Sequence, residues 1–233
     1  MTVKACVFDA YGTLFDVAAA ARNAAAEPGG DALAEVWPGL AETWRLKQLE
    51  YSWLRAVADD YVPFWQVTQD GLDYALELHG LDGAEDSPAL RETLLGLYRR
   101  LDAYSEVPGV LRELKEAGYA TAILSNGSHD MLDAAIDSAG IRAVLDGSYS
   151  VEDVGVFKPH DKVYAMAEDR LGMKGAEIAF FSSNCWDATH AARYGFSTVW
   201  VNRGGIPLDR VGAPPARIVR NLEGCAALVA GLA

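Results

Sequence analysis

Cysteine and positive charge are both scarce in this chain. Three cysteines occur in 233 residues, Cys6, Cys185 and Cys225, widely spaced and without a Cys-x-x-Cys pair. That argues against a disulfide scaffold or a zinc site and points to a reducing, cytoplasmic setting. Lys and Arg total 20 against 33 Asp and Glu, a net charge of −13. A nucleic-acid partner needs a basic footprint that this chain lacks. No apolar run approaches bilayer-spanning length, so no membrane partner is expected, and MTVKACVFDA enters a core strand without a signal-peptide layout. The acidic balance does not set the sign of a substrate, because a few cations in a cleft focus the local field.

What is present is an ordinary globular composition, 51% hydrophobic, long enough for one domain with a large insertion. An apolar strand, Lys4 to Phe8, opens the chain. In the second half, β-type runs at 119–125, 143–150, 178–183 and 198–202 alternate with helical stretches at 110–117, 129–138, 162–171 and 187–194. Alternation of this kind predicts an α/β fold with a Rossmann-like, doubly wound parallel sheet.

The interval between the first two strands has a different texture. Residues 18–26 are Ala-rich and read as helix. Leu40, Trp44, Leu49, Trp53, Leu54 and Val57 make one approximately helical stripe. Pro63 begins another helix, and Ser87-Pro88 has the form of an N-cap and N1 pair. The expected division is a core of residues 1–16 and 101–233 with a helical cap at 17–100. Trp37, Trp44, Trp53 and Trp65 fall in that cap; most suit its own core, and one or two are expected to line an apolar pocket.

Four segments carry chemistry-bearing residues. The strand at 4–8 delivers Asp9 at its carboxyl end, where open α/β sheets place their sites, with Tyr11 and a Gly12-Thr13 turn following. An Asp before such a turn is also an ordinary turn residue or helix cap. Ser125-Asn126-Gly127-Ser128 ends the second core strand. Its hydroxyl, amide and N–H groups suit an anion, or equally a turn that caps the next helix. Lys158, ahead of Pro159, reads as a loop charge or as a cation beside a carboxylate, with Tyr164 six residues later. Phe181-Ser182-Ser183-Asn184-Cys185-Trp186-Asp187 ends the strand at 178–183.

The DAYGTLFD wording at 9–16 resembles the haloacid dehalogenase superfamily, and within it the L-2-haloacid dehalogenase branch. Asp-x-Asp-Gly-Thr is the common superfamily form, so Tyr11 is the discriminating letter. SSNxWD at 182–187 and WRxKQLEYxWLR at 44–55 match the same branch, and the resemblance spans nearly the whole chain. Leu46, Cys185 and His190 depart from it, which bears on substrate range rather than reaction type.

The resemblance implies a hydrolytic dehalogenation of (S)-2-haloalkanoic acids to (R)-2-hydroxy acids through an Asp9 ester. Ser125, Lys158 and N–H groups after Asp9 hold the substrate carboxylate. Arg45, Asn126 and the Trp186 ring edge receive the halide product, and Phe64 is an apolar wall. Tyr11, Thr13, Ser182, Asn184 and Asp187 position Asp9 and the hydrolytic water, with Asp187 or Lys158 as its base and Tyr164 bonded into the cluster. No cofactor is expected: Tyr11 and the Ser183-Asn184 pair stand where metal-dependent relatives keep acids that bind Mg²⁺. A homodimer through the cap is implied as well. The alternatives are a small-molecule phosphatase of the same fold, whose leaving oxygen needs a proton, and a binding protein without activity.

Overall fold

The computed structural model describes residues 2–27, 31–83 and 87–232. In chain order the elements are β1 (Ala5–Phe8), α1 (Ala19–Ala26), α2 (Asp31–Ala34), α3 (Trp37–Ala58), α4 (Phe64–Leu78), α5 (Ser87–Tyr98), α6 (Val107–Glu116), β2 (Ala120–Ser125), α7 (His129–Ser138), β3 (Gly147–Ser150), α8 (Asp161–Leu171), β4 (Ile178–Ser182), α9 (Cys185–Tyr194), β5 (Ser197–Val201), β6 (Arg217–Val219) and α10 (Cys225–Ala230). The strands form one sheet in the order β3-β2-β1-β4-β5-β6, and every pairing is parallel.

This is the expected doubly wound α/β fold, and β1 lies at its switch point, between β2 and β4. Val7 stands opposite Ala122 on one side and Phe180 on the other. All four residues of β1 are buried, as befits a strand covered on both faces. The carboxyl ends of β1, β2 and β4 therefore meet, and each is followed by one of the motif segments. Helix α6 shows how the covering layers are made. Its Val107, Val110, Leu111 and Leu114 recur at i, i+3, i+4 and i+7 and are buried.

Some boundaries differ from the sequence reading. Residues 143–146 are not strand: Arg142–Val144 form a 3-10 turn, and the Asp146 carboxylate accepts from Thr121 N at 2.8 Å. Pro63 is the N-cap of α4 rather than its first residue, and Ser87 is already helical. Strand β6 and helix α10 were not anticipated.

Among the described residues six helices lie between β1 and β2, and the first five, α1 to α5, fall within residues 17–100. In α3 the stripe that is buried is Leu40, Trp44, Gln48 and Ser52, while Leu54 and Val57 are exposed. Two polar residues replace the expected apolar ones because each finds a hydrogen bond, Ser52 Oγ donating to the Gln48 carbonyl at 2.6 Å and Gln48 joining a network with neighbouring helices. Gln48 Nε2 donates to Thr68 Oγ1 at 3.0 Å, Tyr98 Oη donates to Gln48 Oε1 at 3.2 Å, and Trp44 Nε1 donates to the Thr68 carbonyl at 2.8 Å. Among the described residues the three cysteines are buried and free, and no helix is long and apolar enough to cross a membrane.

Candidate active site

Asp9 follows β1 directly, and its backbone N–H is bonded to Phe181 O at 2.8 Å. The turn that follows needs Gly12, whose φ is +87°. That turn brings Thr13 back under the Asp9 carboxylate. Thr13 Oγ1 donates to Asp9 Oδ2 at 2.9 Å and accepts from Ser183 N at 2.7 Å. Asn184 Nδ2 donates to the same Oδ2 at 2.9 Å. The other oxygen, Oδ1, receives Lys158 Nζ at 3.1 Å.

Lys158 also donates to Asp187 Oδ2 at 2.8 Å, so one ammonium joins two carboxylates. It is buried, as is Asp187. Burial works to lower the Lys158 pKa, but Asp187 and Asp9 outweigh it and hold the group above its ordinary value. Asp187 is pushed up, by burial first and by the Asp9 charge as well, against the pull of Lys158 and Tyr164. Tyr164 Oη donates to Asp187 Oδ1 at 2.8 Å and Ser182 Oγ to Asp187 Oδ2 at 3.0 Å. Burial, followed by the Asp187 charge, keeps Tyr164 a phenol. The space between Asp9 and Asp187 thus holds an ammonium. Among the described residues, no group of three or more His, Cys, Asp or Glu side chains is arranged to hold a metal ion.

A small cavity of about 10 Å³ lies above Asp9, lined by Tyr11, Arg45, Leu49, Phe64, Ser125, Asn126, Lys158, Asn184 and Trp186. That is about the space of one water molecule. Thr13, Tyr164, Ser182 and Asp187 are outside this lining: Thr13 bonds Asp9 and Asp187 bonds Lys158, while Tyr164 and Ser182 are joined to the cluster through Asp187. Ser125 Oγ accepts from Gly127 N at 3.0 Å, and Asn126 Oδ1 accepts from Lys158 N at 2.9 Å. The turn makes no side-chain cap on α7, whose N-cap Ser128 leaves that bond unmade.

From the helical side, Arg45 and Leu49 sit one turn apart on α3 and Phe64 opens α4. Arg45 Nη2 donates to Tyr11 O at 3.2 Å and to Asn184 Oδ1 at 3.1 Å. Tyr11 is buried, its ring stacked on Tyr98 at 5.7 Å between centroids. None of the four tryptophans of residues 17–100 lines the cavity, contrary to expectation. Trp53 stands one turn beyond Leu49 and meets Trp186 edge-on at 5.3 Å. Leu49 holds the place expected of a tryptophan; its i+4 spacing from Arg45 is the signal that marks it. Ser183 is expected from sequence only as a replacement for an acid of metal-dependent relatives; here it braces Thr13, its N–H donating to Thr13 Oγ1 at 2.7 Å and its hydroxyl lying 3.1 Å from the same oxygen.

Comparison with known proteins agrees with this geometry. Residues 3–195 match the family model of haloacid dehalogenase-like hydrolases. The chain is 42% identical over 222 residues to (S)-2-haloacid dehalogenase 4A of Burkholderia cepacia, covering 95% of this chain and 93% of that protein. Among solved structures it is similar to a dehalogenase with an intermediate complex, at a TM-score of 0.91 and 40% identity, with 98% of each chain covered. It is also similar to the L-2-haloacid dehalogenase of Xanthobacter autotrophicus with chloropropionic acid covalently bound, at a TM-score of 0.86 and 37% identity, with both chains fully covered (100%). With a strand-end Asp9, a bridging Lys158 and matches of this extent, the chain belongs to the haloacid dehalogenase-like hydrolases.

Proposed function

We propose that this protein hydrolyses (S)-2-haloalkanoic acids to (R)-2-hydroxy acids, releasing halide. The observation that carries the reading is Asp9: a carboxylate held by three donors at the floor of a small cavity, with Lys158 beside it and Arg45 on the opposite wall. The covalently bound chloropropionic acid of the Xanthobacter autotrophicus enzyme supports an ester at this position.

Asp9 Oδ1 is the freer oxygen, with one hydrogen bond against two at Oδ2. It attacks the halogen-bearing carbon from the side opposite the halogen. The new C–O bond forms as the C–X bond breaks, the electron pair leaves with the halide, and the carbon is inverted. Ser125 Oγ, Lys158 Nζ and N–H groups after Asp9 hold the substrate carboxylate. Arg45, Asn126 and the Trp186 edge receive the departing halide as charge develops on it. Tyr11, Leu49 and Phe64 enclose the alkyl group.

Water then attacks the Asp9 ester carbonyl. Asp187 takes one water proton, and the bond between the Asp9 acyl carbon and the product's oxygen breaks. The second water proton passes to that oxygen, so that the hydroxy acid leaves as an alcohol. Asp9 returns as a carboxylate while Asp187 gives its proton to solvent. Asp187 reaches this step through the Ser182 and Lys158 contacts that set it behind Asp9. A phosphatase on this fold would require an acid at position 11; the ring there is packed against Tyr98 and Phe64. The same site works without a metal, because Lys158 supplies the cation between the two carboxylates.

The helices of residues 17–100 act as a cap that closes over the cavity, and two copies of the chain pair through it. Leu46, Leu54, Val57, Tyr74 and Leu78 on α3 and α4 are exposed, Val57 by 89%, an apolar face that a second copy would cover. The protein works in the cytoplasm, in keeping with its free, buried cysteines.

The test is halide release from (S)-2-chloropropionate after exhaustive chelation, with the chirality of the lactate determined. Metal-independent release with (R)-lactate as product is expected. Activity that disappears with chelator and returns with Mg²⁺ would favour the phosphatase-like reading, and binding without turnover a non-catalytic protein.

A further inference from the structure

Arg203 has no place in the chemistry above, yet it touches the loop that holds Asp9. It follows β5 and the turn at Asn202, where Asn202 Nδ2 donates to Ile206 O at 2.9 Å and Asn202 Oδ1 accepts from Ile206 N at 3.0 Å. From this braced turn the side chain reaches Thr13, and Nη2 donates to the Thr13 carbonyl at 2.9 Å. The same nitrogen lies 2.7 Å from Glu106 Oε1. The guanidinium carbon sits 3.6 Å from the centre of the Tyr104 ring, a cation–π distance. Both members of the ion pair are largely out of water, with side-chain exposures of 19% and 12%.

The contacts converge on one junction. Tyr104 and Glu106 belong to the segment that returns from the helices to the core. That segment is zipped to the nucleophile loop: Tyr104 N donates to Leu14 O and Asp16 N to Asp102 O, both at 2.9 Å. Arg203 closes the junction from the far edge. Burial raises the Glu106 carboxyl, but its own backbone N–H and Arg203 outweigh this and hold it below the ordinary range, so the pair is charged at neutral pH. Thr13 is fully buried and has one hydroxyl proton, directed to Asp9 Oδ2. A shift of its carbonyl moves that hydroxyl with it.

We propose that Arg203 is a positioning residue for the reaction. It fixes the Thr13 carbonyl, Thr13 fixes the Asp9 carboxylate, and the rotation of that carboxylate decides whether Oδ1 faces the carbon under attack. Glu106 and Tyr104 set the guanidinium in place. The inference rests on the reading of Asp9 as nucleophile. The two are separable: an active Asp9→Asn enzyme would end the nucleophile reading, whereas the Arg203 variants test the link alone.

The experiment is a double-mutant cycle in the full chain, with kcat and KM for 2-chloropropionate and a thermal unfolding midpoint for each variant. Arg203→Met should lower kcat by about 10- to 100-fold, the scale of a misplacement near 1 Å, with KM within about twofold as substrate contacts are untouched. Arg203→Lys keeps the charge for Glu106 but not the planar fork, and should fall between. In the Thr13→Val background the Arg203→Met effect on kcat should vanish, because the link it acts through is gone. A residue that only stabilises the fold would give losses that multiply. Multiplied losses, or wild-type kcat in Arg203→Met, overturn the proposal. If Arg203→Met does not fold, wild-type kcat in Arg203→Lys does so.

Discussion

Arg45 Nη2 donates to Asn184 Oδ1 at 3.1 Å, joining helix α3 to the loop after β4 above the Asp9 carboxylate. Asn184 passes the connection on, since its Nδ2 donates to Asp9 Oδ2 at 2.9 Å. The amide therefore has both ends committed, and the same Nη2 of Arg45 also donates to Tyr11 O at 3.2 Å. Lys in this position would keep the charge and lose the fork. Arg45→Lys is expected to lower kcat at least about tenfold, the scale of one lost charge-stabilising donor, with the thermal midpoint little changed because Arg45 is only half-buried. Steady-state kinetics beside a melting curve checks this; a wild-type rate would reduce Arg45 to a surface charge.

Lys158→Met removes the cation between two buried carboxylates. Leaving buried charge unpaired costs about 3–5 kcal/mol, so the variant should be strongly destabilised at neutral pH. The pH dependence carries the sign. In the wild type the folded pKa of Lys158 lies above its ordinary 10.5, so its contribution is complete below pH ~10.5 and is lost as pH rises through the folded value. In the variant Asp187, already raised from 3.8 with the ammonium present, rises further. A carboxyl raised by folding favours the fold below its unfolded pKa and loses that advantage as pH increases. The stability gap between the two proteins should widen from about pH 4 to pH 7. Urea midpoints across that range decide it, and a gap that stays constant would mean that the Lys158 ammonium does not favour the ionised carboxylates beside it.

How far the sequence reveals this molecule depends on how local each cause is. β1, β2 and β4 are buried on both faces and stand out as apolar runs, and the strand ends mark Asp9, Ser125 and Ser182 at once. Residues 143–146 are apolar enough to read as strand, but the Asp146 carboxylate bonded to Thr121 and the 3-10 turn are tertiary facts. β6 is three residues long and mostly exposed, so burial leaves no pattern there. Gln48 is hidden in the same way, its polarity arguing for the surface until Thr68 and Tyr98 arrive from other helices, whereas Ser52 is satisfied within α3, donating to the Gln48 carbonyl at 2.6 Å. Arg203 meets Thr13 across a separation of 190 residues, and nothing near it in the chain announces that contact.

Gly127 shows what a missing side chain decides. A Cβ at this position would lie 2.7 Å from Tyr11 Cε2 and 3.2 Å from Leu132 Cδ2. Tyr11 has little room to retreat, being stacked on Tyr98 and close to Phe64. Gly127→Ala should cost about 1–3 kcal/mol of stability, as overpacking does, and should press the Tyr11 ring toward the cavity. Substrates should then be sorted by size, with kcat/KM for 2-chlorobutyrate falling further than that for chloroacetate. Equal losses on both would show that the ring moves away from the site or not at all.

The origin of the product's oxygen separates an Asp9 ester from direct attack by water. If Asp9 is the nucleophile, the first oxygen joined to carbon comes from its own carboxylate. Hydrolysis of the ester carbonyl then restores Asp9 with an oxygen from solvent. With enzyme in excess, a single turnover in ¹⁸O-water should give unlabelled hydroxy acid and a labelled peptide containing Asp9, and repeated turnovers should label the product. Direct attack by water gives the reverse in the first turnover. Asp187→Asn extends the test to the second step. Asp187 lies behind the cavity lining and holds Lys158, Ser182 and Tyr164, so its loss should spare the displacement and stall the hydrolysis. One equivalent of halide should be released in a burst, and the Asp9 peptide should carry the mass of the esterified acid. If the variant releases no halide at all, Asp187 is required for the first step, through its hold on Lys158, and another group must activate the water.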